Sequence, residues 1–188
     1  MPPMVLGTSH RDENDVVLPP VLDDLAAAEK VLMAIRPYIR KIDSSAYIDA
    51  LATGEWCLSL GWSGDVLQAA ARAEEAEKPF HVKYHIPKEG AVQFFDNLAI
   101  PADAAHVKNA HLFIDFLNRP EIAAQNSDYI AYANGNAASL PLISEEVKGN
   151  PEIFPPPEVM AKLVPDMPES AEYQKSLTRV WQRFKTGK

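Results

Sequence analysis

Stretches of helical periodicity and short apolar runs take turns along this chain, and that order restricts the folds open to it. "LDDLAAAEKVLMAIRPYI" sets Leu22, Leu25, Ala28, Leu32 and Ile35 near helical spacing, which predicts an amphipathic helix ending at Arg36-Pro37. "SSAYIDALATGE" predicts a second helix, capped by Ser44 or Ser45, with Tyr47, Ile48 and Leu51 facing inward and Gly54 at its end. "WCLSLGW" reads as a short buried strand, and the alanine-rich "DVLQAAARAEEAEK" as a helix. "FHVKYHI" alternates as a strand does, and "AVQFFDNLAIP" reads as another strand. In "ADAAHVKNAHLFIDFLNRP" a helix would turn Val107, Ala110, Phe113, Ile114 and Leu117 inward, and "PEIAAQNSDYIA" follows as a short helix. "SAEYQKSLTRVWQRFKTGK" closes the chain as an amphipathic helix with Tyr173, Leu177, Val180, Trp181 and Phe184 on one stripe. Residues 1–20 are turn-rich and read as irregular. Strands alternating with helices imply an α/β fold.

At 188 residues and 47% hydrophobic content the chain can bury a core, as one large domain or two small lobes. A net charge of -8 argues against a general nucleic-acid binder and is compatible with cationic ligands. The single cysteine, Cys57, permits no intramolecular disulfide, and its apolar run predicts a buried, inert thiol. The start lacks a basic segment followed by an apolar one, so it does not read as a signal peptide. No run approaches the ~18 apolar residues of a membrane-spanning helix.

"GWSGD" resembles the start of a nucleophile elbow, but Asp65 stands where the last glycine belongs. His81, His85, His106 and His111 follow it without the arrangement of a triad. Four residues along a strand would also set His81 and His85 about 13 Å apart, too far for one metal ion. His106 and His111 do not share a helix face. No dinucleotide or phosphate-cradling motif is present, so the residues point to no metal, no cofactor and no catalysis.

Two carboxylates are more informative. Asp96 lies in an apolar strand pattern, with Phe94 two residues before it and therefore on the same face. Trp62 and Asp65 offer the same two groups from a turn between a strand and a helix. Strand ends are where open α/β sheets bind ligands. A flexible chain with ammonium ends would need carboxylates for the charges and aromatic walls for the methylenes. The plainer alternatives are that Asp65 caps its helix and that Asp96 pairs with a lysine.

"SSAYIDALATGEWCLSLGWSGDVLQAAARA", "IPKEGAVQFFDNLAIPADA", "AHLFIDFLNRPEIAA" and "SDYIAYANGNAASLPLI" together resemble the periplasmic polyamine-binding proteins of ABC importers, of the putrescine and spermidine type. The resemblance runs from about Leu25 to Lys188. It implies a two-lobed solute-binding fold of type II, here a C-terminal fragment lacking most of the N-terminal lobe. Residues 1–75 would belong to the C-terminal lobe, with 1–21 matching poorly. Residues 76–133 would complete the N-terminal lobe, and 134–188 would return to the C-terminal one. By the same resemblance Trp62 and Phe94 would box the methylenes, Asp65 and Asp96 would receive ammonium groups, and Ser44 and Tyr132 would add polar contacts. The implied partners are a polyamine and the permease subunits, and the implied location is the periplasm. An upstream carboxylate of the family has no counterpart in "MPPMVLG". The rival expectations are a remnant that binds nothing and an α/β hydrolase. Residues 80–133 would lack sheet partners, so exposed apolar faces and weak polyamine binding, if any, are expected of the chain alone.

Overall fold

A computed structural model describes residues 10–11, 17–18, 22–166 and 168–188. In chain order its elements are β1 (His10–Arg11), β2 (Val17–Leu18), α1 (Leu22–Ile35), α2 (Tyr47–Thr53), α3 (Ser63–Glu75) and β3 (Val92–Gln93), then α4 (Val107–Leu117), α5 (Pro120–Ile130), α6 (Glu145–Lys148), α7 (Pro157–Met160), β4 (Val164–Pro165) and α8 (Ala171–Thr186). Short 3-10 turns occupy Arg36–Tyr38 and Ala137–Leu142. The fold is a helix-rich α/β one. Apart from β1 and β2, the stretch expected to be irregular at 1–20 lies outside the described residues.

The described chain divides into two compact units. One takes the described residues up to Ile42 with Ile86–Phe95 and Pro157–Lys188, and the other takes Asp43–His85 with Asp96–Pro156. These cuts fall elsewhere than the expected lobe segments 1–75, 76–133 and 134–188, which refer to the lobes of a longer chain.

The first unit is built on α1 and α8. Leu25, Tyr173 and Val180 are buried together, with Leu32 and Leu177 packed against them. Burial, with Glu169 and Asp24 nearby, pushes the Tyr173 phenol up to about 12. The Ser170 hydroxyl accepts the Tyr173 amide at 3.1 Å and caps α8. At the other end the Arg36 guanidinium donates from Nε to the Phe184 carbonyl at 2.6 Å and from a terminal nitrogen to the Lys185 carbonyl at 3.0 Å. It thereby takes two carbonyls that the end of a helix leaves without partners. Glu29 on α1 pairs with Arg183 on α8. The hydrogen bond from Arg183 holds the Glu29 carboxyl below its usual range. β3 runs parallel to β4, and Gly90, at φ 107°, passes so close that a Cβ there would meet the Lys162 carbonyl at 2.1 Å.

The second unit centres on α2 and α3. Tyr47, Leu51, Ala52, Val66 and Ala69 are buried together, and Ile48, Trp56, Val82 and Tyr84 pack on them. Gly54, at φ 79° in the left-handed region, ends α2 as the sequence predicts. The start of α2 differs from expectation. The Asp43 carboxylate, not a serine, accepts the amides of Ser45 at 2.9 Å and Ala46 at 3.0 Å.

The strands diverge most from the sequence reading. "WCLSLGW" and "FHVKYHI" form no ladder, and of "AVQFFDNLAIP" only Val92–Gln93 pairs. Cys57 is exposed rather than buried, and Leu58 and Leu60 are each 91% exposed. The physical reason is pairing. A strand satisfies its amides and carbonyls through a neighbour, and among the described residues these runs have no neighbouring strand. The helix α4 likewise buries no side chain, and Leu112, Phe113 and Phe116 are exposed. Val107 and Phe113, expected to face inward, are exposed instead, although the sequence reading also expects uncovered apolar faces in this region.

Two outcomes follow. Replacing Leu58 and Leu60 with threonine should change unfolding free energy by under about 0.5 kcal/mol each, since neither side chain is packed. Burial in a strand would instead cost about 2–5 kcal/mol per leucine truncated. Arg36→Ala should remove about 1–3 kcal/mol by freeing the carbonyls at the end of α8. Thermal and urea unfolding of the variants read both.

Candidate functional site

The turn into α3 is read best from its backbone outward. Trp62 sits at the N-cap with extended backbone (φ -75°, ψ 145°), and Ser63, Gly64 and Asp65 form the first turn of the helix. Asp65 therefore does not cap α3, contrary to the plainer reading of the sequence. A carboxylate in this first turn is favoured by the helix macrodipole.

Both Asp65 oxygens are held by phenols. The Tyr47 hydroxyl donates to Oδ2 in a short hydrogen bond, and the Tyr132 hydroxyl donates to Oδ1 at 3.0 Å. Each phenol oxygen also accepts a backbone amide of the turn: Trp62 N at 3.3 Å to Tyr47, and Asp65 N at 3.3 Å to Tyr132. Burial first, then the bond to Asp65, pushes the Tyr47 phenol up to about 12. The same two causes raise Tyr132 further.

The glycines of "GWSGD" make room for these rings. A Cβ on Gly61 would meet the Tyr47 ring at 2.5 Å, and one on Gly64 would meet the Tyr132 ring at 2.1 Å. The motif that resembles a nucleophile elbow is thus a pair of notches flanking Trp62. Tyr132 is aimed by the loop after α5. Ala131 ends that helix at φ 58°, a left-handed geometry uncommon for a residue with a side chain. Asn134 then donates to Ser127 Oγ at 2.8 Å and to the Ala123 carbonyl at 3.2 Å, and accepts from Ser139 Oγ at 3.0 Å. Ser127 and Ser139 are fully buried, so this network fixes the loop.

Trp62, Asp65 and Tyr132 are thus brought together, and all three belong to the second unit. Trp62 is 51% exposed, so much of its ring faces outward. Ser44 lies exposed ahead of α2 in the same unit. Phe94 directly follows β3 in the first unit and is half-buried, while Asp96 is exposed in the second unit and outside any strand. The expected strand face shared by Phe94 and Asp96 is therefore not formed. Sequence reasoning assigned Tyr47 only to the helix core. Its polar tip at an inward helical position was the available signal, because a buried tyrosine hydroxyl takes a partner.

Chemically, the site offers a carboxylate with a donor on each oxygen and acceptor capacity left over, on the turn that carries Trp62. A carboxylate has about four lone-pair positions, and the phenols use two. Among the described residues no cluster of three or more metal-ligating side chains exists, and no helix is long and apolar enough to cross a membrane.

Comparison with known proteins places the chain in a family. The sequence profile described as bacterial extracellular solute-binding protein matches residues 14–155. The chain is 44% identical to the putrescine-binding periplasmic protein SpuD of Pseudomonas aeruginosa, over 97% of this chain and 53% of that protein. It is 45% identical to the putrescine-binding periplasmic protein PotF of Escherichia coli, over 88% of this chain and 45% of that protein. A solved structure from Listeria monocytogenes, assigned as a spermidine/putrescine ABC transporter, superposes with a TM-score of 0.73 at 27% identity, over 88% of this chain and 49% of that one. The chain spans about half the length of the curated relatives it matches. The profile match covers well over half of the present sequence, and the chain belongs to the bacterial extracellular solute-binding protein family.

Proposed function

We propose that this chain is part of the solute-binding component of an ABC importer and that it takes a linear polyamine such as putrescine or spermidine. The observation that carries the reading is the Asp65 carboxylate, held on both oxygens by phenols in the turn that also carries the exposed Trp62. Phenols fix a carboxylate without neutralising it. The negative charge stays available to an ammonium group, which would bind by charge-assisted hydrogen bonds. The Trp62 face would cover the first methylenes and add cation–π attraction. The names of the relatives support the choice of ligand, two of them being putrescine-binding proteins.

In this reading Asp96 offers a second carboxylate seat, and Ser44 adds a polar contact. The work is capture and release, with no bond made or broken, and the ligand passes to permease subunits in the membrane. The location is the periplasm, where the named relatives act. The lobe assignment expected from the resemblance, with 76–133 in one lobe and the flanking segments in the other, belongs to the same proposal.

One carboxylate seat and one aromatic wall together supply about 3–5 kcal/mol, equivalent to a dissociation constant of roughly 1 mM. NMR titration of the chain with putrescine should show binding in that range, and Asp65→Asn should weaken it about tenfold or more. Equal affinities for the two proteins would remove Asp65 from the site, and no shift at all would leave the chain without a polyamine site.

The Tyr47 phenol gives a pH dependence with a defined sign. Its pKa is raised on folding, so its contribution to stability is complete below pH 10 and is lost as pH rises toward about 12. Unfolding free energy of the wild type should therefore fall across that window. Tyr47→Phe should flatten part of the fall, which denaturant melts at several alkaline pH values would reveal.

A further inference from the structure

Tyr47 does two things that packing alone does not require. Its hydroxyl donates to Asp65 Oδ2, and the same oxygen accepts the Trp62 amide. One buried phenol, 2% exposed, is thus bonded to the residue that bears the aromatic wall and to the residue that bears the charge. Gly61 between α2 and the turn allows this approach, since a Cβ there would strike the Tyr47 ring. Tyr132 completes the clamp from the other oxygen, but its partner amide is that of Asp65 itself. Tyr47 thus ties the Trp62 amide to the Asp65 carboxylate.

We propose that Tyr47 is a positioning residue of the ligand site, coupling the backbone of Trp62 to the carboxylate of Asp65 so that wall and ammonium seat are presented in one fixed geometry before ligand arrives. The inference rests on the reading that Asp65 receives an ammonium group. Preorganisation of this kind raises affinity because the site need not be ordered at the moment of binding. A phenylalanine at the same position keeps the ring and its packing and removes only the hydroxyl.

The test is a double-mutant cycle on the full chain, read by NMR titration with putrescine. Tyr47→Phe should weaken binding about tenfold, the size expected for losing a hydrogen bond to a charged group. In the Asp65→Asn background the same substitution should have little further effect, because its target is already altered. An equal loss in both backgrounds overturns the proposal, since that is the pattern of a merely structural residue. Unchanged binding by Tyr47→Phe alongside weakened binding by Asp65→Asn also overturns it while leaving the ammonium seat intact. Unchanged binding by Asp65→Asn sinks the underlying reading instead, and the positioning role with it. A second measurement needs no ligand. The Trp62 amide should exchange its hydrogen about tenfold faster in Tyr47→Phe, with the Ala69 amide inside α3 unaffected. Unaltered exchange at Trp62 would equally overturn the coupling.

Discussion

The Asp65 carboxylate and its two phenols tie together three parts of the second unit. Tyr47 comes from α2, Asp65 from α3, and Tyr132 from the loop that follows α5. A partly buried carboxylate without donors would be costly, and here each oxygen has one. The choice of donor matters as much as its presence. Asp49 and Glu29 are met by arginines, Arg72 and Arg183, and those pairs carry no net charge. Asp65 is met by neutral hydroxyls, so its charge is held in place and not cancelled. The proposed cation seat relies on that difference.

The second requirement is close approach, and small residues meet it. Gly61 and Gly64 flank Trp62 and admit one tyrosine ring each. Any side chain at Gly64 would drive into the Tyr132 ring, whose place is fixed behind it by Asn134 and the buried serines Ser127 and Ser139. The sequence "GWSGD" is therefore one packed device. Its glycines, its tryptophan and its aspartate are each constrained by the same two phenols.

Helices were legible in the chain because their signal is local. The apolar stripes of α1 and α8 meet in the structure as their spacing predicts, through Leu25, Tyr173 and Val180. Strands were not, because alternation records only what a side chain favours, whereas a ladder also needs a neighbour. Leu58 and Leu60 have the residue types of a buried strand and stand almost fully in solvent. The same limit applied to the site. Trp62 and Asp65 could be singled out as an aromatic and a carboxylate on one turn. The phenols that hold Asp65 lie 18 and 67 residues away in sequence, a distance that no local pattern spans. Tyr47 was hidden further by its place on an apolar face, where a tyrosine reads as a hydrophobe. Phe94 and Asp96 were joined by strand geometry, and that inference fell with the strand.

Asp65 serves two ends that would conflict if magnitudes were otherwise. The start of α3 carries partial positive charge from its backbone dipoles, which favours a carboxylate there by about 0.3–1 kcal/mol. The same field opposes a ligand cation by a comparable amount. A charge-assisted hydrogen bond to the carboxylate contributes about 1.5–3 kcal/mol, so attraction prevails. The phenols add direction to that charge, so under the proposed reading an ammonium group would meet a carboxylate already oriented for it.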